Sequence, residues 1–405
     1  MLERTMKNHI KKVSGAFKIV LLEGQRQVGK STLLSGIAEP SRKYITLDNI
    51  KLRTLAKNDP ELFLQQNPPP IIIDEVQYAP ELFPFIKIYV DTHPTKTGSF
   101  WLTGSQRFIL MQNVQESLAG RVAIIDLLGL SYREKCSLAS SSKLFLPKMK
   151  LTKTQIIPQI TPANVYKRIW EGSFPEPVLN KKLSREVYFN SYIQSYIERD
   201  VKDFYNISKP LQFYNFIVAC AARTGSLINY ASLARDIGID LKTAQTWMGI
   251  LERSGLVYLL QPYYLNVTKR LIKTPKLYFL DTGLCSYLTR WESPETLMNG
   301  AMDGAILETY VFGEILKSYW HNGENPLIYF YRDDDQKEID FIIEKNMTLY
   351  PIEVKKTSNP QAFDFKNFRV LEKLGKTTGL GAVVCLQKER IPITRDVISI
   401  PVWEI

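Results

Sequence analysis

Short apolar runs separated by polar stretches of helical period fill the first third of the chain. FKIVLLEG, RKYITLDN, PPIIIDE, SFWLTGS and RVAIIDLLGLS, all within residues 17–131, read as five strands with helical stretches between them. Strands alternating with helices in this way predict a parallel sheet covered on both faces. The following segment, KCSLASSSKLFLPKMKLTKTQIIPQITP, is rich in Ser, Lys and Pro and has no period, so residues 136–162 are expected to form a connector or an irregular lid. From 163 to 295 the pattern turns helical, and Tyr188, Tyr192 and Tyr196 fall at four-residue spacing as a buried aromatic stripe. From 296 to 405 a helix, AILETYVFGEILKSYW, precedes the strands LIYFYRD, EIDFIIEK, LYPIEVKK and GAVVCLQ, a small α/β domain. The expected fold class is α/β, in segments 1–135, 136–162, 163–295 and 296–405.

Composition narrows the classes further. With 45% hydrophobic and 23% charged residues the chain has the balance of a folded protein. No run nears the roughly 20 apolar residues of a spanning helix, and MLERTMKNHIKK lacks the apolar core of a signal peptide. The expectation is a cytoplasmic protein with no membrane partner. Cys136, Cys220, Cys285 and Cys385 stand far apart, as do His9, His93 and His321, which argues against a disulfide framework and a zinc site. Magnesium held by carboxylates is the metal to expect. The net charge of +11 suits a phosphate-rich partner such as DNA, but charge alone does not single it out.

The sharpest chemistry lies near the start. Gly24-Gln25-Arg26-Gln27-Val28-Gly29-Lys30-Ser31-Thr32 follows an apolar strand and opens a helix. Glycines at 24 and 29 let the backbone curl so that its N–H groups and the helix N-terminus face phosphate. Lys30 then reaches the β- and γ-phosphates of ATP and Ser31 offers a hydroxyl to Mg²⁺. The strand Ile71-Ile72-Ile73 ends in Asp74 and Glu75, which fit the magnesium shell and the base that polarises the attacking water. Thr103 and Ser105, at the end of a further strand, are candidates to sense the γ-phosphate or to hold the lytic water. Arg121 in SLAGR is either an arginine finger acting on a neighbouring subunit, which implies a homo-oligomer, or a surface arginine pairing locally.

Together GQRQVGKST, IIIDEVQ, WLTGSQ and SLAGR resemble a prokaryotic family of AAA+ type ATPases whose C-terminal half is a domain of unknown function. YIERD, RTGSLINYASLARDIGI, KLYFLDTGL and ILETYVFGEI are similar to the same family, so the resemblance spans nearly the whole chain. It implies an additional-strand P-loop core with Glu75 catalytic and Arg121 acting in trans.

Two modules follow. Residues 212–224, 229–237 and 240–255 read as three helices, and a hairpin-like segment runs from LVYLLQPYY to PKLYFLD, which together suggest a winged helix. Lys242, Thr243, Gln245 and Thr246 on the third helix would meet base edges, and Lys269, Arg270, Lys273 and Lys276 of the wing would meet phosphates. The same fold also serves as a protein docking surface. Later, strand alternation sets Glu338 and Asp340 on one face with Ile339 and Phe341 on the other, and likewise pairs Glu353 with Lys355. Asp340, then Glu353-Val-Lys355, preceded by a helical Glu308, resembles the restriction-endonuclease-like superfamily. That resemblance implies Glu308, Asp340 and Glu353 as metal positions and Asp340, Glu353 and Lys355 as catalytic ones. The leading expectation is an ATPase acting on DNA through these modules. The competing one is an ATP-dependent switch whose nuclease-like domain only binds DNA or a protein.

Overall fold

The computed structural model of the chain describes residues 2–104, 117–149, 157–196, 207, 209–266 and 273–405, with Lys373 for its backbone alone. The chain divides into two compact units: Met1–Leu130 with Arg253–Gly255 and Trp320–Gly323, and Ser131–Glu252 with Leu256–Tyr319 and Glu324–Ile405. No helix among the described residues is long and apolar enough to cross a membrane.

The first unit is built on five parallel strands: β1 (Ile19–Glu23), β2 (Lys43–Thr46), β3 (Ile71–Asp74), β4 (Phe100–Thr103) and β5 (Val122–Asp126). Their order is β2-β3-β4-β1-β5, so β4 stands between β1 and β3. Every residue of β1, β3 and β4 is buried, as expected of strands covered by helices on both faces. Ile19, Leu21, Ile71, Ile73, Phe100 and Leu102 form one core cluster with Phe63, Ile86 and Val90 of the flanking helices. The five strands occupy the places that the apolar runs predicted.

In the second unit the helix Arg185–Ser195 starts at Ser184, whose side chain accepts from the Val187 amide, and it buries Tyr188, Phe189 and Tyr192 against Phe174. Tyr196 is buried as well, so the four-residue spacing is a core stripe. Helices Pro210–Ala221, Tyr230–Ile237 and Leu241–Arg253 follow, with β6 (Ser226–Leu227) between the first two, and then β7 (Val257–Leu260) and β8 (Lys276–Phe279). These strands form a small sheet in the order β6-β8-β7. Trp247 of the third helix meets Phe213 and Phe216 of the first edge-on, at 5.2 and 5.6 Å between ring centres.

The long helix Asp303–Trp320 leads into β9 (Leu327–Arg332), β10 (Glu338–Lys345) and β11 (Thr348–Lys355), an antiparallel meander. β12 (Thr377–Thr378) and β13 (Gly381–Cys385) pair in parallel with β11, β15 (Val397–Pro401) in parallel with β13, and β14 (Ile391–Pro392) antiparallel with β15. Strand β15, VISIP, escaped the sequence reading.

One expectation needs correcting. The β9–β10 register slips between Ile339 and Ile342, a β-bulge. Ile339 therefore joins Ile342, Leu349 and Val383 in one cluster, while Phe341 packs on Phe312 and Tyr278. The two do not share a face, because the extra residue breaks the period of two that simple alternation assumes.

Candidate functional site

The loop Gly24–Gly29 runs from the end of β1 into the helix Lys30–Ile37. Gly24 has φ +143°, and a Cβ there would lie 2.2 Å from the Leu127 carbonyl oxygen, so only glycine fits between β1 and the strand beside it. Gly29 caps the helix at φ +90°, and Gln27 between them also takes a positive φ of 62°. Such positive-φ glycines at both ends of the loop allow the backbone curl that, in phosphate-binding loops, presents amides to an anion. The Lys30 ammonium donates to the Gly24 and Gln25 carbonyls at 2.9 and 2.7 Å. Thr32 is the third residue of the same helix.

Asp74 is the hub on the other side. Its Oδ1 accepts from the Ser31 hydroxyl at 2.7 Å and from the Thr103 hydroxyl, and its Oδ2 accepts from the Tyr44 hydroxyl at 2.7 Å. Burial, reinforced by the bond to Asp74, pushes the Tyr44 phenol above its ordinary pKa. The insertion of β4 between β1 and β3 carries Thr103 to this point, where its hydroxyl also accepts from the Glu75 amide at 3.3 Å. Glu75 sits just past the strand with φ 56°, and the Gln77 side chain donates to its Oε2. Ser31 and Asp74 present the hard oxygen donors that magnesium takes. Tyr44 is a participant the sequence reading missed, because it lies within an edge strand rather than in a motif.

Ser105 lies outside the described residues. Arg121 is far from the loop. It immediately precedes β5, whose register sets Val122 level with Ile19 and Asp126 level with Glu23. Five residues at about 3.3 Å each place it roughly 17 Å from the phosphate end of the sheet. There it pairs with both oxygens of Asp91, at 2.6 and 2.9 Å.

In the second unit, β10 and β11 bring Asp340 and Glu353 one step beyond the paired Phe341 and Ile352, with Lys355 two residues further along β11. Asp340 Oδ2 accepts from the Val354 amide at 2.8 Å, and the Lys355 ammonium donates to Glu353 at 2.7 Å. Burial first, and then the Asp340 charge, pushes the Glu353 carboxyl up to about 8 and that of Glu308 up to about 7. Asp340 is raised too, chiefly by burial, against the pull of Lys276 and the Val354 amide.

Lys276 overturns an expectation. The sequence placed it on an exposed wing facing phosphate, yet it is 3% exposed on β8 and pairs with Glu308 at 3.2 Å and Glu338 at 2.5 Å. Burial works against its charge, but the carboxylates of Glu308, Asp340 and Glu338 outweigh this and hold its pKa above the ordinary lysine value. Tyr278, also on β8, donates to the same Glu308 oxygen. Among the described residues no group of three or more His, Cys, Asp or Glu side chains is set to hold a metal. What remains is a pair, Asp340 and Glu353, which suffices for a cation that keeps waters and takes only one or two carboxylates. Of the other wing residues, Lys273 is exposed, and Lys269 and Arg270 lie outside the described residues. On the third helix Lys242, Gln245 and Thr246 are exposed, whereas Thr243 is committed to Asp240 through its amide and its hydroxyl.

Residues 16–136 match a family model described as an AAA domain. Residues 163–295 and 303–405 match two models described as domains of unknown function, DUF8612 and DUF4143. An uncharacterized protein of Mycobacterium tuberculosis is 28% identical over 393 residues, covering 96% of this chain and 80% of that protein. An uncharacterized protein of Methanocaldococcus jannaschii is 26% identical over 326 residues, 73% of this chain and 67% of that protein. Among solved structures, the Walker-type ATPase of Pyrococcus abyssi superposes with a TM-score of 0.44 at 13% identity, covering 71% of this chain and 96% of that one. The RuvB Holliday junction branch migration motor of Thermotoga maritima gives 0.30 at 14% identity, covering 62% and 89%. The AAA match and the parallel sheet with its phosphate loop support a P-loop ATPase domain at the N-terminus, with nucleotide as its ligand.

Proposed function

We propose that this chain is a Mg²⁺-dependent ATPase that acts on DNA, its nucleotide state governing a winged-helix segment and a metal-dependent nuclease domain. In the first unit the loop amides of Gly24–Gly29 hold the phosphates, and Lys30 exchanges its two carbonyl partners for phosphate oxygens. Ser31 and Asp74 would hold Mg²⁺, which neutralises charge on the β- and γ-phosphates. Thr103 fixes Asp74 and the Glu75 backbone together, so that Glu75 orients and polarises the attacking water. Arg121, at the opposite end of the sheet, acts only on the nucleotide of a neighbouring copy after leaving Asp91, which makes a homo-oligomer part of the proposal.

The observation that carries the DNA reading is the meeting of Asp340, Glu353 and Lys355 on adjacent strands behind the helix of Glu308. The order of a helix, a three-strand meander and further parallel strands supports a restriction-endonuclease-like assignment. Asp340 and Glu353 would hold one divalent cation, which activates water and steadies the scissile phosphate. Lys355, 38% exposed at its side chain, reaches outward to orient that water. The sequence helix, strand, helix, helix and hairpin, with β8 between β6 and β7, supports the winged helix. Exposed Lys242 and Gln245 would then face bases.

One assay tests the whole reading. The purified chain is incubated with single- and double-stranded DNA and Mg²⁺ or Mn²⁺, with and without ATP, beside Glu75→Gln, Asp340→Ala and Lys355→Ala. Cleavage lost in the last two variants, and ATP turnover lost in the first, is the expected result. Identical cleavage by Asp340→Ala and Lys355→Ala would end the nuclease assignment.

A further inference from the structure

Lys276 belongs to the segment that matches one family model, while Glu338, Asp340 and Glu353 belong to the segment that matches another. Its ammonium is nonetheless inserted among those carboxylates: 3.2 Å from Glu308, 2.5 Å from Glu338, and close enough to Asp340 for their charges to act on each other. Glu308 is further committed to the Tyr278 hydroxyl, and Glu338 to Arg332 at 3.1 Å. Two carboxylates are thus bound by fixed cations of the chain, and two others, Asp340 and Glu353, stand on the side of Lys355.

Buried carboxylates need compensating charge, and a divalent ion or an ammonium can supply it. Four acids gathered without a lysine among them could serve two divalent ions, which clamp the attacking and leaving oxygens of a phosphate, whereas among the described residues here no three acids are set to hold a metal. Here one of those places is filled by a side chain on β8. We propose that Lys276 is a positioning residue that supplies the second cation of this cluster from within the chain, so that Asp340 and Glu353 take up one divalent metal ion instead of two. The proposal rests on the metal-dependent reading given above.

The test counts bound Mn²⁺ by electron paramagnetic resonance in the full-length chain without nucleotide, with Asp74→Asn present to silence the first unit's site. One Mn²⁺ per chain, lost on adding Asp340→Asn, supports the proposal. Two overturns it while leaving the metal reading in place, and none overturns the metal reading and the proposal with it. Lys276→Gln supplies a second measurement. In EDTA it should melt roughly 5–15 °C below the parent, because buried acids have lost their partner. Adding Mn²⁺ should restore the loss and raise the stoichiometry to two. A Lys276→Gln chain that still binds one ion, with no recovery on adding Mn²⁺, would show that the lysine is only a structural tie.

Discussion

Replacing Glu353 by Gln should remove a pH dependence that the cluster builds into the second unit. The Glu353 carboxyl is 7% exposed and is pushed from 4.5 up to about 8, first by burial and then by Asp340. Below about pH 4.5 the group is protonated in both states and contributes no slope. Above that the unfolded chain releases its proton while the folded chain keeps it, so stability falls as pH rises, until the folded carboxyl ionises near pH 8. One proton corresponds to roughly 1.4 kcal/mol per pH unit, so from about pH 5 to about pH 7.5 the loss is on the order of 3 kcal/mol. In a unit of this size that moves the melting temperature by roughly 6–12 °C. Gln keeps the shape of the protonated acid and does not titrate. The assay is denaturant unfolding of wild type and Glu353→Gln in EDTA across this range, followed as the difference between the two. The variant should gain on wild type as pH rises, by about 3 kcal/mol. A difference that stays constant, or a wild type that gains on the variant, would refute the reasoning. It would show that Lys355 keeps Glu353 ionised in the folded state.

Two further substitutions probe the two units separately. Thr103→Val removes a fully buried hydroxyl that serves Asp74 and the Glu75 amide, at nearly constant volume. It should cost about 1.5–3 kcal/mol in stability and lower turnover roughly ten- to a hundredfold, with nucleotide affinity little changed. Wild-type turnover in steady-state hydrolysis would refute the role given to Thr103. Phe312→Ala empties a fully buried position whose ring stacks on Tyr278 at 4.5 Å and on Phe341 at 5.8 Å. A loss of about 3–5 kcal/mol on urea unfolding is expected, and a loss below about 1 kcal/mol would mean that this stack does not hold the helix to the sheet.

What could be read from the sequence follows from burial. Strands β1, β3 and β4 are buried on both faces, so each appears as an unbroken apolar run that ends abruptly in polar chemistry at Glu23, Asp74 or Thr103. Strand β15 has the same burial, yet in VISIP a serine interrupts the apolar run and a proline ends it, with no motif beside it. The bulge after Ile339 could not be seen, because reading alternation presupposes the regular pleat that a bulge interrupts. Lys276 was misplaced for a related reason. A lysine near a turn reads as exposed, and only the packing of β8 beside the helix of Glu308 reveals three acids around it. Local pattern locates elements and the chemistry at their ends, but not the partner that arrives from a distant strand.

The two candidate sites share a consequence of that packing. In each, the groups that the proposed function assigns to a ligand are hydrogen-bonded within the chain itself. Lys30 rests on the Gly24 and Gln25 carbonyls, and Ser31 rests on Asp74. Asp340 rests on the Val354 amide, and Glu353 on Lys355. A ligand therefore enters by exchange. Hydrogen bonds to charged groups are worth about 1.5–3 kcal/mol each, so an incoming phosphate or metal must offer at least as much as the internal partner it displaces. A fully charged phosphate or a divalent ion meets that condition, whereas a neutral ligand of the same shape does not. The internal bonds thus act as a filter on charge. Under the proposed function they would also make binding a local rearrangement: Lys30 would leave the Gly24 and Gln25 carbonyls, and Ser31 would turn from Asp74 toward the metal. Glu75, whose amide is tied to Thr103 and through it to Asp74, would then register that turn in the proposed function.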